Sequence, residues 1–261
     1  MKFAIIGNLT IDIVNGKKKP GGGAYYSGLI LSKHTGVTIY TKIGDDYPKK
    51  WLEEISSYAE VVAFKGSSTT MYELFYSGEG RVIKALSPGD KISADELSTI
   101  SEEKVIINPV AGEIGEGDVL IFKKPCLDLQ GFVRELRKDG LVTLKEIDGE
   151  FLENASIVHS STEEFRMVKN LKLPDVLAVT NGSEEGVVIT RKGKITFKPR
   201  KVDVKDPTGA GDAFLALLSY GINRYNELKR ALEFALDETA KFLKLGLRSY
   251  LEDRDDEASI G

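Results

Sequence analysis

Apolar positions along this chain fall into short continuous runs separated by stretches with helical spacing. "FAIIG" (3–7) is an unbroken apolar run closed by a glycine, the pattern of a buried strand. "GGGAYYSGLILSKHTG" (21–36) opens on three glycines and continues as a helix that ends near Gly36. "VTIYTKIG" (37–44) and "EVVAF" (60–64) are further strands, with a helix in "DDYPKKWLEEISSYA" (45–59) between them. Strands that alternate with helices predict parallel βαβ units in one α/β domain.

The rhythm changes at 67–86. "SSTTMYELFYSGEGRVIKAL" alternates polar and apolar residues around a tight "SGEG" turn, the pattern of a β-hairpin. It lacks the continuous apolar character of an inner parallel strand. Two readings stand: a flap that leaves the main sheet and covers a site, or a hairpin at the sheet edge. After it, "SADELSTI" predicts a short capped helix, and "KVIINP", "PCLDL" and "ENASIVHSS" end or contain strands. "DVLIFKK" fits a short helix and "TEEFRMVKNL" a longer one. "DVLAVTNGSEEGVVITRKGKITFKP" predicts a strand, a turn and a hairpin, and two helices follow over about 210–221 and 226–244. The tail "EDRDDEASIG" is read as a solvated, frayed end. There is no internal repeat and no interdomain linker, so residues 1–261 are expected to form a single domain.

Composition narrows the function. Hydrophobic residues make up 41% and charged residues 29%, which suits a globular protein with a large core. The net charge of −4 is spread without a basic stripe, which argues against nucleic acid as a partner. No apolar run reaches the roughly 18 residues that span a bilayer. Asp12 interrupts the N-terminal apolar stretch, so a first strand and a cytoplasmic location are expected rather than a secretory signal. The many Lys and Glu residues hint at a hot habitat. One cysteine, Cys126, excludes an intrachain disulfide and any multi-cysteine zinc site, and it reads as a small buried hydrophobe. The two histidines, His34 and His159, are far apart in sequence and read as structural.

Chemistry concentrates in "KVDVKDPTGAGDAFLALLSYGI" (201–222). Three small residues, Gly209, Ala210 and Gly211, precede Asp212 at the head of an apolar helix. Small residues let a ligand approach the backbone, and helix-start N–H groups hold anions. A carboxylate one residue further is placed to take a proton from an attacking hydroxyl. The bland alternative is tight packing with Asp212 as an early-turn carboxylate. The residues alone do not separate the two. A P-loop, a dinucleotide fingerprint after the first strand and a protein-kinase H-R-D are all absent.

"DPTGAGDAF" resembles the C-terminal signature of the ribokinase-like (PfkB) carbohydrate kinases. The resemblance implies a ribokinase-like three-layer α/β sandwich with a mostly parallel central sheet. It also implies a small β-strand lid, matched by 67–86 and residues near 9–20. It makes Asp212 the base and the amides of Gly209, Ala210 and Gly211 the anion hole. "GNLTIDI" resembles the family's first-strand element, in which Asp12, with Asn8 nearby, would bind acceptor hydroxyls. Asp12 also reads as a turn residue. "PGGGAYYSG" resembles the G-G element that contacts substrate, so Gly22 and Gly23 carry over, with Tyr26 where the family often has asparagine. "VTNGSEEG" resembles an element near the donor phosphates and assigns Thr180, Gly182 and Gly186 to nucleotide binding, with Thr208. "STEE" resembles the element that organises magnesium through water: Glu164 matches its glutamate, and Ser161 replaces its asparagine.

"GGGAYYSGL", "TTMYELFY", "NPVAGEI", "LDLQGF" and "IDGEFL" together resemble the archaeal myo-inositol kinase branch. A cyclitol pocket needs carboxylates and amides, which Asp12, Glu73, Asn108 and Gln130 supply. Glu73 and Gln130 also fit a solvent-facing role, and Asn108-Pro109 a plain turn. The expected activity is therefore phosphoryl transfer from ATP, with Mg2+, to a small polyol or sugar, myo-inositol first. A monovalent cation near "VDVKDPTG" is allowed by resemblance, and an oligomer is allowed without being required. Three other readings stay open. An acidic sugar would use Arg134, a nucleoside would stack on Tyr25, Tyr26 or Tyr72, and a non-catalytic regulator would keep the fold alone.

Overall fold

The computed structural model describes residues 1–77, 80–204 and 206–253. The centre of the "SGEG" turn and the tail from 254 lie outside the described residues, as does Lys205.

The N-terminal half runs β1 (Lys2–Ile6), β2 (Thr10–Val14), β3 (Lys17–Gly21), α1 (Gly23–Ser32), β4 (Gly36–Ile43), α2 (Lys49–Ser56), β5 (Glu60–Lys65), β6 (Thr70–Ser77), β7 (Gly80–Ser87) and α3 (Ala94–Ser98). Ser93 and Glu96 form a reciprocal capping box at the start of α3. Then come β8 (Lys104–Ile107), a 3-10 turn (Gly117–Ile121), β9 (Cys126–Asp128), α4 (Gln130–Val133), β10 (Arg134–Leu136), β11 (Val142–Leu144) and β12 (Ile147–Asp148). A second 3-10 turn (Gly149–Asn154) leads to β13 (Ile157–Ser161), α5 (Thr162–Phe165), β14 (Val168–Lys169), β15 (Val176–Asn181), β16 (Glu184–Thr190) and β17 (Gly193–Phe197). Three helices close the chain: α6 (Ala210–Tyr225), α7 (Leu228–Leu245) and α8 (Leu247–Glu252).

Among the described residues the main sheet has nine strands in the order β17-β16-β15-β13-β9-β8-β1-β4-β5. From β15 to β5 every pairing is parallel, and only the β15-β16-β17 edge is antiparallel. Both faces are covered, which is why the inner strands read as continuous apolar runs. Strand parity divides the core. Ile5, Ile106, Cys126, Ile157 and Ala178 face the cluster under α1, α6 and α7. Ile6, Ile107, Leu127, Val158 and Leu177 face the cluster under the shorter turns. The result is a three-layer α/β sandwich.

β6 and β7 do not extend this sheet. With β2 and β3 they form a second, four-stranded sheet in the order β3-β2-β6-β7. One expectation needs correction, and two stretches carry no assignment from sequence. "TEEFRMVKNL" is one turn of helix, because Val168–Lys169 leaves to pair with β12. The run before the small-residue turn, 201–204, carries no regular structure. The 134–144 segment, unassigned from sequence, is a β10–β11 hairpin whose Gly140 carbonyl accepts the Ala85 N–H of β7 at 2.8 Å.

Candidate active site

β4 and β8 lie on opposite sides of β1, so the strand order reverses at β1. Crevices at such a switch point, outside the carboxyl ends of parallel strands, are where open α/β sheets bind ligands. A cleft of about 1080 Å³ opens there, between the two sheets and the start of α6. Asp128 and Ser161 end β9 and β13, Asn108 follows β8, and Thr180 lies near the end of β15.

The floor of the cleft is Asp212, in the first turn of α6. Asn108 Nδ2 donates to its Oδ1 at 2.8 Å and to Ser27 Oγ at 2.7 Å. Ser27 Oγ in turn donates to the Asp212 backbone carbonyl at 3.1 Å. Protein surrounds the carboxylate on most sides, although it keeps contact with solvent through the cleft. Burial pushes its pKa up to about 6, and the nearby charge of Asp128 adds to this. The Asn108 hydrogen bond, His159 and Arg134 act in the opposite direction. Asn108, fully buried and not among the residues lining the cleft, is thus neither a plain turn residue nor the cleft-wall amide expected: it holds the Asp212 carboxylate directly.

The turn before Asp212 is tight. Gly209 caps α6 with φ 85° in the left-handed region, and a Cβ there would lie 2.4 Å from the Tyr26 ring. The Ala210 N–H points back to the Pro207 carbonyl at 3.1 Å, so the turn itself engages this one of the three expected anion-hole amides. Thr208 lines the cleft, and its N–H bonds Asp206 Oδ1 at 2.9 Å. Tyr26 also lines the cleft; burial first, then the Asp12 charge, pushes its phenol well above the usual range.

On the acceptor side, Thr10 Oγ1 donates to Asp12 Oδ1 at 2.7 Å and fixes the carboxylate. Gly22 and Gly23 complete this wall. A Cβ on Gly23 would stand 2.1 Å from Asn108 Oδ1, so the glycine is needed where α1 passes Asn108. Gln130 lines the cleft, but its Oε1 accepts from Arg134 Nη2 at 2.7 Å. The opposite wall is apolar: Tyr72 and Leu74 from β6, Ile83 from β7, and Val110 and Val142.

Three assigned residues lie elsewhere. Asn8 is fully buried, donating to the Asp90 carbonyl at 2.9 Å and accepting from the Lys42 N–H at 3.1 Å, so it ties the β1–β2 connection to β4 and to the segment after β7 away from the cleft. Glu73 alternates with Tyr72 and Leu74 along β6 and is not a cleft residue. Gly186 is buried against Phe197, whose ring a Cβ would meet at 2.5 Å; its smallness serves packing. Thr180 and Gly182 do line the cleft.

Glu164 lines the donor side beside Glu163. Its Oε2 accepts the Ser161 N–H at 2.9 Å and the Ser161 hydroxyl at 2.8 Å, a capping box at the start of α5. Serine in place of asparagine thus fixes the glutamate. Among the described residues no group of three or more His, Cys, Asp or Glu side chains could hold a metal. This donor set fits an ion that keeps most of its waters and takes the rest of its ligands from phosphate, as Mg2+ does.

His159, read from sequence as structural, also lines the cleft, as does Asp128. Asp128 ends β9, and His159, the middle residue of β13, is its partner in the parallel register.

Residues 141–239 match the profile of the pfkB family of carbohydrate kinases. Over that span the chain matches a PfkB-family carbohydrate kinase domain. A cytidine kinase of Thermococcus kodakarensis is 26% identical, in an alignment covering 94% of this chain and 96% of that protein. An inositol 3-kinase of Arabidopsis thaliana is also 26% identical, over 85% of this chain and 68% of its own. A pyrophosphate-dependent kinase in the ribokinase family, complexed with a pyrophosphate analog and myo-inositol, superposes with a TM-score of 0.80 at 22% identity. That superposition covers 93% of this chain and 95% of the other, and the fold is ribokinase-like. These matches support a phosphotransferase of the carbohydrate-kinase kind. No described helix is long and apolar enough to cross a membrane.

Proposed function

We propose that this kinase moves the terminal phosphoryl group of ATP to a hydroxyl of a small polyol, with myo-inositol the first candidate. The observation that carries the reading is the Asp212 carboxylate, held by Asn108 on the cleft floor beside the Gly209–Gly211 turn. The acceptor lies against Asp12, Gly22 and Gly23, with one hydroxyl directed at Asp212. As that oxygen attacks the terminal phosphorus, the bond to the bridging oxygen breaks and its electrons leave with ADP. Asp212 takes the hydroxyl proton. The Gly209 and Gly211 amides bind the equatorial oxygens, where charge gathers in the transition state.

Glu164, with Glu163 beside it, would hold Mg2+ through water, and the ion would neutralise phosphate charge. For the donor base there is an apolar slot formed by Phe197, Pro199, Leu236, Ala240 and Leu243. Pyrophosphate would leave this slot empty, and Arg134 and Arg200 are the only described arginines or lysines lining the cleft. Arg200 is engaged with Asp237 at 2.7 Å and with Glu233. These features favour a nucleotide donor. Closure of the four-stranded sheet over the acceptor would exclude water and limit wasteful hydrolysis.

A second reading has a specific support. The apolar wall of Tyr72, Leu74, Ile83 and Val110 would suit a nucleobase, and a relative is named a cytidine kinase. Turnover over a panel of myo-inositol, ribose, ketohexoses, 2-keto-3-deoxygluconate and nucleosides, with ATP or pyrophosphate, separates these. The expected result is the highest kcat/KM for myo-inositol with ATP, and a loss of about 10²–10⁴ in Asp212→Asn with ATP binding kept. Unchanged turnover in that variant removes Asp212 from the mechanism, and a nucleoside far ahead of every polyol overturns the acceptor.

A further inference from the structure

Beneath the Gly209–Gly211 turn, side chains from three neighbouring parallel strands form one hydrogen-bonded line. Asp128 Oδ2 lies 2.7 Å from His159 Nδ1, and His159 Nε2 lies 3.1 Å from Thr180 Oγ1. Asp128 and His159 are each 3% exposed and stand opposite one another in the β9–β13 register. The other Asp128 oxygen accepts the Gln130 N–H at 2.9 Å. Gly211 passes directly over the imidazole: a Cβ there would lie 2.8 Å from His159 Cε1.

An ionised carboxylate only accepts, so Nδ1 carries a hydrogen. If Nε2 carries one as well, Thr180 Oγ1 must accept it, and the hydroxyl hydrogen turns elsewhere. The Ser160 carbonyl, at 3.5 Å, is too distant to hold it well. A phosphate oxygen in the cleft, which Thr180 lines, is the better acceptor.

We propose that Asp128 and His159 are positioning residues that hold the Thr180 hydroxyl as a hydrogen-bond donor to the phosphoryl oxygens. The imidazolium they maintain lies directly under Gly211 of the anion hole. This rests on the reading that the transferred phosphate sits at Gly209–Gly211. The charges that face the ring come from β9 (Asp128), α5 (Glu164) and α6 (Asp212). Burial, the largest single influence, would lower the imidazole pKa, but Asp128, Glu164 and Asp212 together outweigh it, and the net shift is upward. The Arg134 charge acts on Asp212 in the opposite sense to Asp128. A neutral His159 would instead make the line a base–nucleophile relay activating Thr180.

The chain has two histidines, so ¹⁵N-histidine NMR of the full-length protein, with His34→Gln for assignment, reads His159 directly. Both ring nitrogens are expected to be protonated at pH 7, and Asp128→Asn to remove that state. In assays with ATP and myo-inositol, His159→Gln and Thr180→Val each lower kcat about 10- to 100-fold, at or below the usual loss for an oxyanion donor, with acceptor KM within about twofold. Because His159 acts through the hydroxyl, the double variant is no slower than Thr180→Val, and Thr180→Ser recovers most of the rate. If His159→Gln fails to fold, Asp128→Asn with Thr180→Val completes the same cycle. A neutral imidazole, multiplicative losses in the double variant, or a phosphate on Thr180 by mass after incubation with ATP overturns the proposal. An inactive wild type across the acceptor panel would instead count against the underlying reading. Full activity in His159→Gln, beside an inactive Asp212→Asn, sinks this inference alone.

Discussion

Asn108 and Asp212 are 104 residues apart in sequence, yet the Asn108 amide donates to the Asp212 carboxylate at 2.8 Å. The amide is itself fully buried and donates again to Ser27. One side chain at the carboxyl end of β8 therefore sets both the orientation and the acidity of the group at the head of α6.

The acid limb of the pH–rate profile should report this. With its pKa pushed up to about 6, Asp212 is the free base only above that pH. kcat/KM should rise through about pH 6, two units above an ordinary aspartate. The Asn108 bond lowers the Asp212 pKa, so Asn108→Leu should move the limb further up. Part of the rate lost at pH 7 should return at pH 8–9. A limb that stays in place in Asn108→Leu would show that the amide does not bear on the base.

The same shift should appear in stability. The Asp212 pKa is raised in the folded state, so between about pH 4 and 6 the native protein holds a proton that the unfolded chain has released. Stability falls as pH rises through that window. Two pKa units correspond to roughly 3 kcal/mol, and solvent in the cleft reduces this. Asp212→Asn should therefore raise Tm at pH 7 by about 2–6 °C and have little effect at pH 4. A lower Tm at pH 7 would contradict the burial cost assigned to the ionised carboxylate.

The parts of this site legible in sequence are those in which chemistry and geometry are local. "TGAGD" places small residues and a carboxylate within one turn, and "GGG" meets α1 at the point where no side chain fits. Glu73 was misplaced because strand parity says which residues share a face, not which face meets the cleft, and Asn8 because its partners, Asp90 and Lys42, are distant in sequence. β6 joins a second sheet through parallel pairing with β2, a long-range fact absent from its own pattern. Asp128 and His159 were missed because their meeting depends on the β9–β13 register, set across 31 residues. Gly186, within an element otherwise near the donor site, answers to Phe197 on the neighbouring strand.

Gly23→Ala tests the close approach of α1 to Asn108. The new methyl would stand 2.1 Å from Asn108 Oδ1, so the amide must swing away from Asp212. kcat should fall at least about 10-fold, because a misplacement of about 1 Å near the reacting group can cost 10²-fold. ATP affinity, measured by calorimetry, should change less than about threefold. An active Gly23→Ala enzyme would mean that Asn108 need not stay where it is.

The last prediction separates scaffold from cleft. Asn8→Ala leaves the Asp90 carbonyl and the Lys42 N–H without their partner. Each unsatisfied buried group costs about 1–3 kcal/mol, so Tm should drop by several degrees while acceptor KM changes little. Glu73→Gln should leave both quantities within error, because the side chain does not face the cleft. Tyr72→Ala removes a buried ring from the acceptor wall and should raise acceptor KM at least about fivefold. Differential scanning calorimetry and initial rates on the three variants check the set. An increased acceptor KM in Glu73→Gln with no change in Tm would place that carboxylate at the substrate and reverse the assignment of faces on β6.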